Sequence, residues 1–188
     1  MTLNLIEVEI NIKENKEIQI LTEANSFYIY TNIHNDFKKL SVVQFINEVL
    51  NKTLKEQVGH SELFQFIASS LIRLNETTSS VSNFHHYFLL ELLKYFGIEP
   101  NNNFDAENKY FDCREGKFSP MELSFPIGLN KPDSELLSKV LSEETLAEKL
   151  SSAQRQALLE GILAYYKFHI PGFNDLKCLE VLKEISLA

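Results

Sequence analysis

The pattern of apolar and polar positions divides the chain into a strand-like start and a long helical remainder. Over residues 3–24 apolar side chains alternate with polar ones on both sides of a polar turn at residues 13–16. The alternating apolar positions are Ile6, Val8, Ile10 and Ile12 before the turn, and Ile18 and Ile20 after it. A period of two is typical of a strand with one apolar face, so this segment predicts a β-hairpin. Only the short piece at residues 27–30 alternates in a comparable way.

Beyond residue 30 the apolar spacing becomes helical. It predicts helices over about 35–57 and 61–75, the first capped by Asn35 or Asp36. The next helix, at residues 83–97, is apolar on nearly every side, so we expect it to be buried among other helices. Lys94 in its last turn and a left-handed Gly97 mark its end. Its predicted core positions are Leu89, Leu92, Leu93 and Phe96.

The second half of the chain combines an irregular segment with further helices. Residues 97–131 form a long loop rich in Asn, and residues 109–118 within it predict a small hairpin. Tyr110 or Phe111 and Phe118 lie on its strands, with Gly116 in the turn. Further helices are predicted at 132–141, 144–150, 153–168 and 174–186, with Ser151 or Ser152 capping the third and Asn174 the last. The predicted fold class is mainly α: a helical domain at 25–188 with a hairpin at 1–24.

Composition and charge narrow the classes of function. The chain has 188 residues, of which 44% are hydrophobic and 23% charged, as expected of a folded domain. Its net charge of -8 opposes general attraction to nucleic-acid phosphates, so any DNA contact must be local. No apolar run reaches the roughly 18 residues of a membrane span. Because no secretory signal is visible either, we expect a cytoplasmic protein.

The residues with reactive side chains do not form a recognisable catalytic or metal motif. His85 and His86 are adjacent, and neighbours on a helix point about 100° apart, so we do not expect them to bind one ion together. Hydrogen bonding within or beside the core is the favoured interpretation. Cys113 and Cys178 lie far apart and are expected to be reduced thiols. Without a phosphate loop, nucleophile elbow or paired carboxylates, we expect no enzyme activity, cofactor or metal.

Aromatic and basic residues near the C-terminus support two interpretations. Tyr165, Tyr166, Phe168 and Phe173 alternate with Lys167 and Lys177, as in a stacking surface for single strands. Packing of the last two helices is favoured, because the chain is acidic and the aromatic spacing is helical. A groove flanked by Lys or Arg would still suit an acidic peptide with an apolar end. The candidate partner-binding residues are Lys94, Arg155, Tyr166, Lys167, Phe173 and Lys177.

Several stretches carry a resemblance to a known family. Residues 176–182, LKCLEVL, follow His169 and Gly172 and resemble the terminal signature of RecO recombination mediators, which usually has Ser where Cys178 stands. Other segments are similar in order and spacing to RecO from Bacteroidetes-type bacteria, and together they cover nearly the whole chain. These segments are Asn83-Phe84-His85 with Leu93, Tyr95, Phe96 and Gly97, then Tyr110-Phe111-Asp112 with Gly116 and Phe118, then Ser152-Ala153-Gln154-Arg155.

The resemblance implies a fold, a function and partners. RecO proteins have an N-terminal OB-fold barrel followed by a helical domain with an inserted loop. They load recombinase onto single-stranded DNA with RecR while displacing single-stranded-DNA-binding protein. The implied partners are RecR and the C-terminal tail of single-stranded-DNA-binding protein. Residues 1–24 would correspond to the last strands of the barrel, so most of the barrel is missing and binding of single-stranded DNA is expected to be weak or absent.

Two departures from the family pattern shape the remaining expectations. Many members have four cysteines in the loop that corresponds to residues 97–120, whereas this chain has only Cys113 there, so we expect no zinc. Packing of Tyr110, Phe111 and Phe118 would then hold the inserted hairpin. The N-terminal hairpin either lies on the helical domain or pairs with a second chain as a homodimer, and pairing is preferred because it satisfies an open edge. The alternative to a mediator is a helical protein-interaction module unrelated to repair.

Overall fold

The fold is mainly α, as predicted, with two small antiparallel hairpins. The structure is a computed structural model that describes residues 3–16, 18–54, 60–142, 150–180 and 182. A 3₁₀ turn at Ile33–Asn35 precedes the first helix. In chain order the strands and helices are β1 (Ile6–Asn11), β2 (Ile20–Ser26), α1 (Phe37–Thr53), α2 (Ser61–Glu76), α3 (Phe84–Tyr95), β3 (Tyr110–Asp112), β4 (Lys117–Ser119), α4 (Lys131–Leu141) and α5 (Ser152–His169).

Several helix boundaries are set by side-chain caps. The Asp36 carboxylate accepts hydrogen bonds from the amides of the two residues after Phe37 and begins α1. Asn130 caps α4 in the same way. Ser151 and Gln154 form a reciprocal capping box at the start of α5. Asp36 and Ser151 are therefore the caps among the predicted alternatives.

Helix α3 is the centre of the core. It packs against α1, α2 and α5, and its Leu89, Leu92 and Leu93 are fully buried, as predicted. The prediction that Phe96 is a core residue is wrong, since its side chain is only partly buried. Helix α3 has already ended at Tyr95, and Gly97 turns the chain away with a φ of 67°. Phe96 therefore lies at the edge of the core.

The N-terminal hairpin stands away from the helices. Strands β1 and β2 pair antiparallel with an irregularity between Glu9 and Ile10, and every residue of both strands is exposed. The alternative in which the hairpin lies on the helical domain is therefore wrong. Strand β2 continues to Ser26, and residues 27–30 do not form a strand. The homodimer remains a prediction.

The base of this hairpin is fixed by a buried polar network. The Asn75 side-chain oxygen accepts hydrogen bonds from the amides of Asn32 and Ile33, at 2.9 and 3.3 Å. Lys39, only 5% exposed, donates to the carbonyls of Asn75 and Thr77, at 2.9 and 2.7 Å. A buried ammonium is tolerated when such acceptors satisfy it. The C-terminus of α2 thus holds the chain where it leaves the hairpin.

The inserted hairpin is present and packs on α5. Phe111 and Phe118 are 1% exposed with ring centroids 5.0 Å apart, while Tyr110 is only partly buried. Gly116 has a φ of 69°, and a Cβ there would lie 2.8 Å from the hydroxyl oxygen of Tyr165. This turn needs glycine both for its backbone conformation and for space. Phe111 and Phe118, rather than Tyr110, anchor the hairpin.

The C-terminal predictions have mixed outcomes. The predicted helix at 144–150 lies almost wholly outside the described residues, and Leu150 is not helical. Leu179 and Glu180 are helical, while 181 and 183–188 lie outside the described residues. The prediction that Asn174 caps this segment is wrong. Glu48 of α1 accepts from the amides of Lys177 and Cys178, both at 2.9 Å, so a distant carboxylate supplies the acceptor.

Candidate partner-binding groove

Helices α2 and α3 leave a groove between them that continues to Pro100 and the end of α4. Phe66 of α2 stacks on Phe88 and on Tyr95, at centroid distances of 5.2 and 4.9 Å, and so sets the packing of the two helices. The groove encloses about 920 Å³. We call it the α2–α3 groove. Its apolar lining consists of Phe66, Val81, Phe84, Leu90, Val140 and Leu141.

Two cations stand at the rim of the α2–α3 groove. The Arg73 guanidinium lies over the Phe84 ring, 5.4 Å from its centroid, and its side chain is exposed. In the described part of the chain, no carboxylate lies within the 4.0 Å of an ion pair with Arg73. Lys94 is paired with Glu91 at 2.7 Å, and Glu99 also lines the groove. Arg73 is therefore the rim cation best placed to receive an anionic partner.

Two residues that line this groove, Asn83 and Tyr87, each have a buried polar atom. The Asn83 side-chain oxygen and the Tyr87 hydroxyl are buried and have no hydrogen-bond partner among the described residues. Burial raises the pKa of Tyr87, so its phenol stays protonated and can donate. Buried polar groups are normally satisfied, because an unmade hydrogen bond is costly. Neither atom has appreciable accessible surface, so neither is presented to a ligand in the groove.

Of the residues predicted from sequence to bind a partner, Lys94 lines the α2–α3 groove and Arg155 does not. Arg155 sits in the first turn of α5, where its guanidinium donates to the Leu150 carbonyl at 2.5 Å and to the Ser152 hydroxyl at 3.0 Å. These bonds hold the chain that enters α5. Arg155 is positioned to support the fold rather than to meet a ligand in the groove.

The prediction that Tyr166 and Phe173 bind a partner is wrong, because both side chains are buried in the core. Tyr166 has no exposed surface, and its hydroxyl donates to the Leu89 carbonyl at 2.7 Å. Phe173 is 6% exposed and lies 5.1 Å from the Tyr166 ring, centroid to centroid. Packing, the favoured interpretation of these aromatic residues, is what the structure shows for this pair.

Lys167 and Lys177 belong to a different surface. Lys167 pairs with Asp175 at 2.6 Å, and Lys177 is exposed in the segment held by Glu48. Neither lysine lines the α2–α3 groove. Sequence analysis missed Arg73, because a basic residue in the last turn of a helix is equally well explained by the helix dipole. Its position over Phe84 depends on how α2 and α3 pack.

A second groove, of about 560 Å³, lies between the end of α1, α2 and the end of α3. Its lining is apolar, and Phe64 is 61% exposed there. None of the described residues that line it is Lys or Arg; they are Thr53, Leu54, His60, Leu63, Phe64, Ile67, Tyr95, Phe96, Ile170 and Pro171. Among the residues that the structure describes, this groove therefore offers no Lys or Arg to an acidic partner.

The buried residues His85, His86 and Cys113 are part of the packing. His86 bonds to the Arg155 carbonyl, as expected for a core histidine, and its ring lies 4.1 Å from that of His85. Burial raises the pKa of Cys113 to about 12. Within the described residues, no three His, Cys, Asp or Glu side chains are grouped to hold a metal. None of the helices in that part of the chain is long and apolar enough to cross a membrane.

Comparison with known proteins now identifies the family. Residues 34–177, which span the described helices and the inserted hairpin, match the family model "Recombination protein O C terminal". The chain belongs to the RecO family. This RecO chain is 30% identical over 186 residues to the DNA repair protein RecO of Azobacteroides pseudotrichonymphae genomovar. CFP2, covering 97% of this chain and 77% of that protein.

Other relatives give the same result. The DNA repair protein RecO of Flavobacterium psychrophilum is 31% identical over 186 residues, covering 97% of this chain and 76% of the relative. That of Bacteroides fragilis (strain YCH46) is 30% identical over 187 residues, covering 97% and 77%. The resemblance to RecO of Bacteroidetes-type bacteria is therefore confirmed, as is the assignment to DNA repair.

Proposed function

We propose that this RecO chain is a non-catalytic mediator of DNA repair and recombination in the cytoplasm. In this role it works with RecR to load a recombinase onto single-stranded DNA. Family membership supports the proposal. The burial of His85, His86 and Cys113 supports a non-catalytic role, because these reactive side chains are used in packing. The net charge of -8 favours action through protein partners over broad DNA contact.

We further propose that the α2–α3 groove receives the acidic C-terminal tail of single-stranded-DNA-binding protein. The observation that carries this is the exposed Arg73 guanidinium directly over Phe84, which places a cation next to an apolar floor. An apolar side chain at the end of the tail would bury against Phe84 and Leu90, and a carboxylate would meet Arg73. Buried apolar and Arg anchors typically supply most of the affinity of such contacts.

The rim and the floor of the groove would play different roles in binding. Arg73 attracts the acidic tail from a distance, while the groove floor determines how long it stays. The described lining of the second groove has an apolar surface but no Lys or Arg beside it.

A peptide titration tests the proposed site. The probe is a short Asp-rich peptide ending in Phe, followed by fluorescence anisotropy, with the same peptide ending in Ala as its comparison. Arg73→Glu should weaken binding at least about tenfold, because attraction becomes repulsion beside the apolar floor. Lys38→Glu, the same charge change at an exposed position on α1, should leave binding unchanged.

The outcomes separate the competing functions. The proposal is supported if Arg73→Glu binds the Phe-ended peptide more weakly and if the unmodified chain binds the Ala-ended peptide more weakly. The groove would then recognise both the charge and the apolar end of the peptide. Equal binding by Arg73→Glu and the unmodified chain would refute the proposed site. A chain that binds neither peptide would mean that the groove does not receive the acidic tail. RecR binding is tested separately, by co-elution of the two proteins in size-exclusion chromatography.

A further inference from the structure

The α2–α3 groove carries as many anions as cations among the residues that the structure describes. Its charged lining residues are Arg73, Glu91, Lys94 and Glu99, and their formal charges cancel. A groove that only attracted anions would carry an excess of positive charge. An acidic tail that enters this groove therefore meets repulsion as well as attraction.

Glu91 lies on the same face of α3 as Phe84, the ring that the Arg73 guanidinium covers. The two positions on α3 are separated by about two turns of an α-helix, or about 10 Å along its axis. An extended peptide covers that distance in about three residues. Both residues line the groove, which continues towards Pro100. A tail that is anchored at Phe84 and follows the groove in that direction therefore passes Glu91.

The Glu91 carboxylate already pairs with the cation at this point of the rim. It lies 2.7 Å from the Lys94 ammonium, and the side chains of Glu91 and Lys94 are 43% and 48% exposed. Exposed ion pairs of this kind are weak, so a carboxylate of a bound peptide can replace Glu91 at Lys94. The Glu91 carboxylate would then still lie beside the incoming anion, and like charges repel.

We propose that Glu91 determines the specificity of the groove by limiting its affinity for anions, an inference that rests on the proposed binding of the acidic tail. Glu91 competes with the tail for Lys94 and repels the acidic side chains that pass it. Charge alone therefore does not hold a partner in the groove. An acidic segment binds tightly only when an apolar residue is also buried against Phe84 and Leu90. Specificity commonly depends on such repulsive contacts as well as attractive ones.

An isosteric substitution tests this role of Glu91. Glu91→Gln keeps the size of the side chain and removes one negative charge. The Asp-rich peptide ending in Phe should therefore bind about fivefold more tightly to this variant than to the unmodified chain, measured by fluorescence anisotropy at low salt. In about 1 M salt the two chains should bind the peptide equally, because charges are screened within a few ångströms there. A change in packing would not depend on salt in this way.

Glu135→Gln is the matched control. Glu135 pairs with Lys139 at 3.1 Å, their side chains are 46% and 49% exposed, and neither is among the described residues that line the groove. This variant should bind the peptide as the unmodified chain does. Equal affinity of Glu91→Gln and the unmodified chain at low salt would overturn this inference and leave the groove as the peptide site. So would a gain that high salt does not remove. A peptide that binds neither chain would refute the proposed function, and this inference with it.

Discussion

His86 Nε2 donates a 2.8 Å hydrogen bond to the backbone carbonyl of Arg155 and so joins the first turn of α3 to the first turn of α5. Because a carbonyl only accepts, the proton is on Nε2. Burial lowers the pKa of His86 to about 4. Burial, with the neighbouring His86 and Arg155, also lowers the pKa of His85 well below its usual value. Both imidazoles are therefore neutral in the folded protein near neutral pH.

The lowered pKa of His86 predicts a loss of stability in mild acid. The unfolded chain binds a proton at about pH 6.5 and the folded chain at about pH 4, so acid favours unfolding across this window. Above pH 6.5 His86 is neutral in both states and costs no stability. Between pH 6.5 and pH 4 the free energy of unfolding falls by about 1.4 kcal/mol per pH unit. His86→Gln should reduce this slope in urea unfolding measured at a series of pH values.

The matched control is His34→Gln, at an exposed position in the 3₁₀ turn before α1. It should keep the slope of the unmodified chain. An unchanged slope in His86→Gln would contradict the assignment of a neutral, buried His86 in the folded state.

The burial of Leu92 predicts that α3 contributes strongly to the free energy of unfolding. Leu92 is fully buried at the centre of the core, so Leu92→Ala should lower the free energy of unfolding by about 2 to 5 kcal/mol through lost burial and a residual cavity. Chemical denaturation measures the difference. Met121→Ala, at a side chain 65% exposed, should change stability by much less. Similar effects of the two substitutions would show that α3 is not central.

The hydrogen bonds from Lys177 and Cys178 to Glu48 predict that this carboxylate holds the C-terminal segment on α1. Burial raises the pKa of Glu48, but hydrogen bonds from Cys178 and Lys177 and the charge of Lys52 outweigh it and leave the pKa below its usual value. The ionised Glu48 carboxylate accepts hydrogen bonds from the backbone amides of Lys177 and Cys178. Glu48→Ala should destabilise the protein by about 1 to 3 kcal/mol, and this loss should shrink as pH falls and Glu48 itself becomes protonated.

Limited proteolysis provides the local measurement for this prediction. Glu48→Ala should be cleaved faster after residue 173 than the unmodified chain, with mass spectrometry locating the cut. Glu122→Ala, at an exposed position in the irregular loop, should not change that cleavage. Cleavage at the same rate in both variants would mean that Glu48 does not hold the segment.

We predict that the inserted hairpin binds no structural zinc. Cys113 has no exposed surface, and its high thiol pKa disfavours the thiolate that zinc binds. Phe111 and Phe118 supply the packing that a metal supplies in other small loops. Elemental analysis of protein purified without added metal should find no stoichiometric zinc. Zinc at one ion per chain, lost with unfolding on chelation, would contradict this account.

The periodic segments were predictable because local rules and burial agree there. The spacing of Leu89, Leu92 and Leu93 specifies a buried helix whichever neighbours it has, and Gly97 and Asp36 act within their own turn. The hairpin around Gly116 was predictable for the same reason, since turn residues and flanking aromatic residues lie close in sequence. Family resemblance added the function, which no spacing in this chain indicates.

The groove was not predictable because its parts are distant in sequence. Arg73 meets Phe84 only after α2 and α3 pack, and Glu48 reaches Lys177 across most of the chain. Tyr166 and Phe173 have the composition of a binding surface, but their exposure depends on the same packing. The sequence alone indicated aromatic and basic side chains near the C-terminus, whereas the tertiary structure buries Tyr166 and Phe173 and places Arg73 at the rim of the groove.

The most direct test of the α2–α3 groove uses full-length single-stranded-DNA-binding protein and a form lacking its C-terminal residues. Isothermal titration into the unmodified RecO chain should show binding of the full-length protein and none of the shortened one. Arg73→Glu should lose most of that affinity, and Lys38→Glu should keep it. Equal binding of the full-length and shortened proteins, or full affinity in Arg73→Glu, would contradict the proposal that the groove receives the acidic tail.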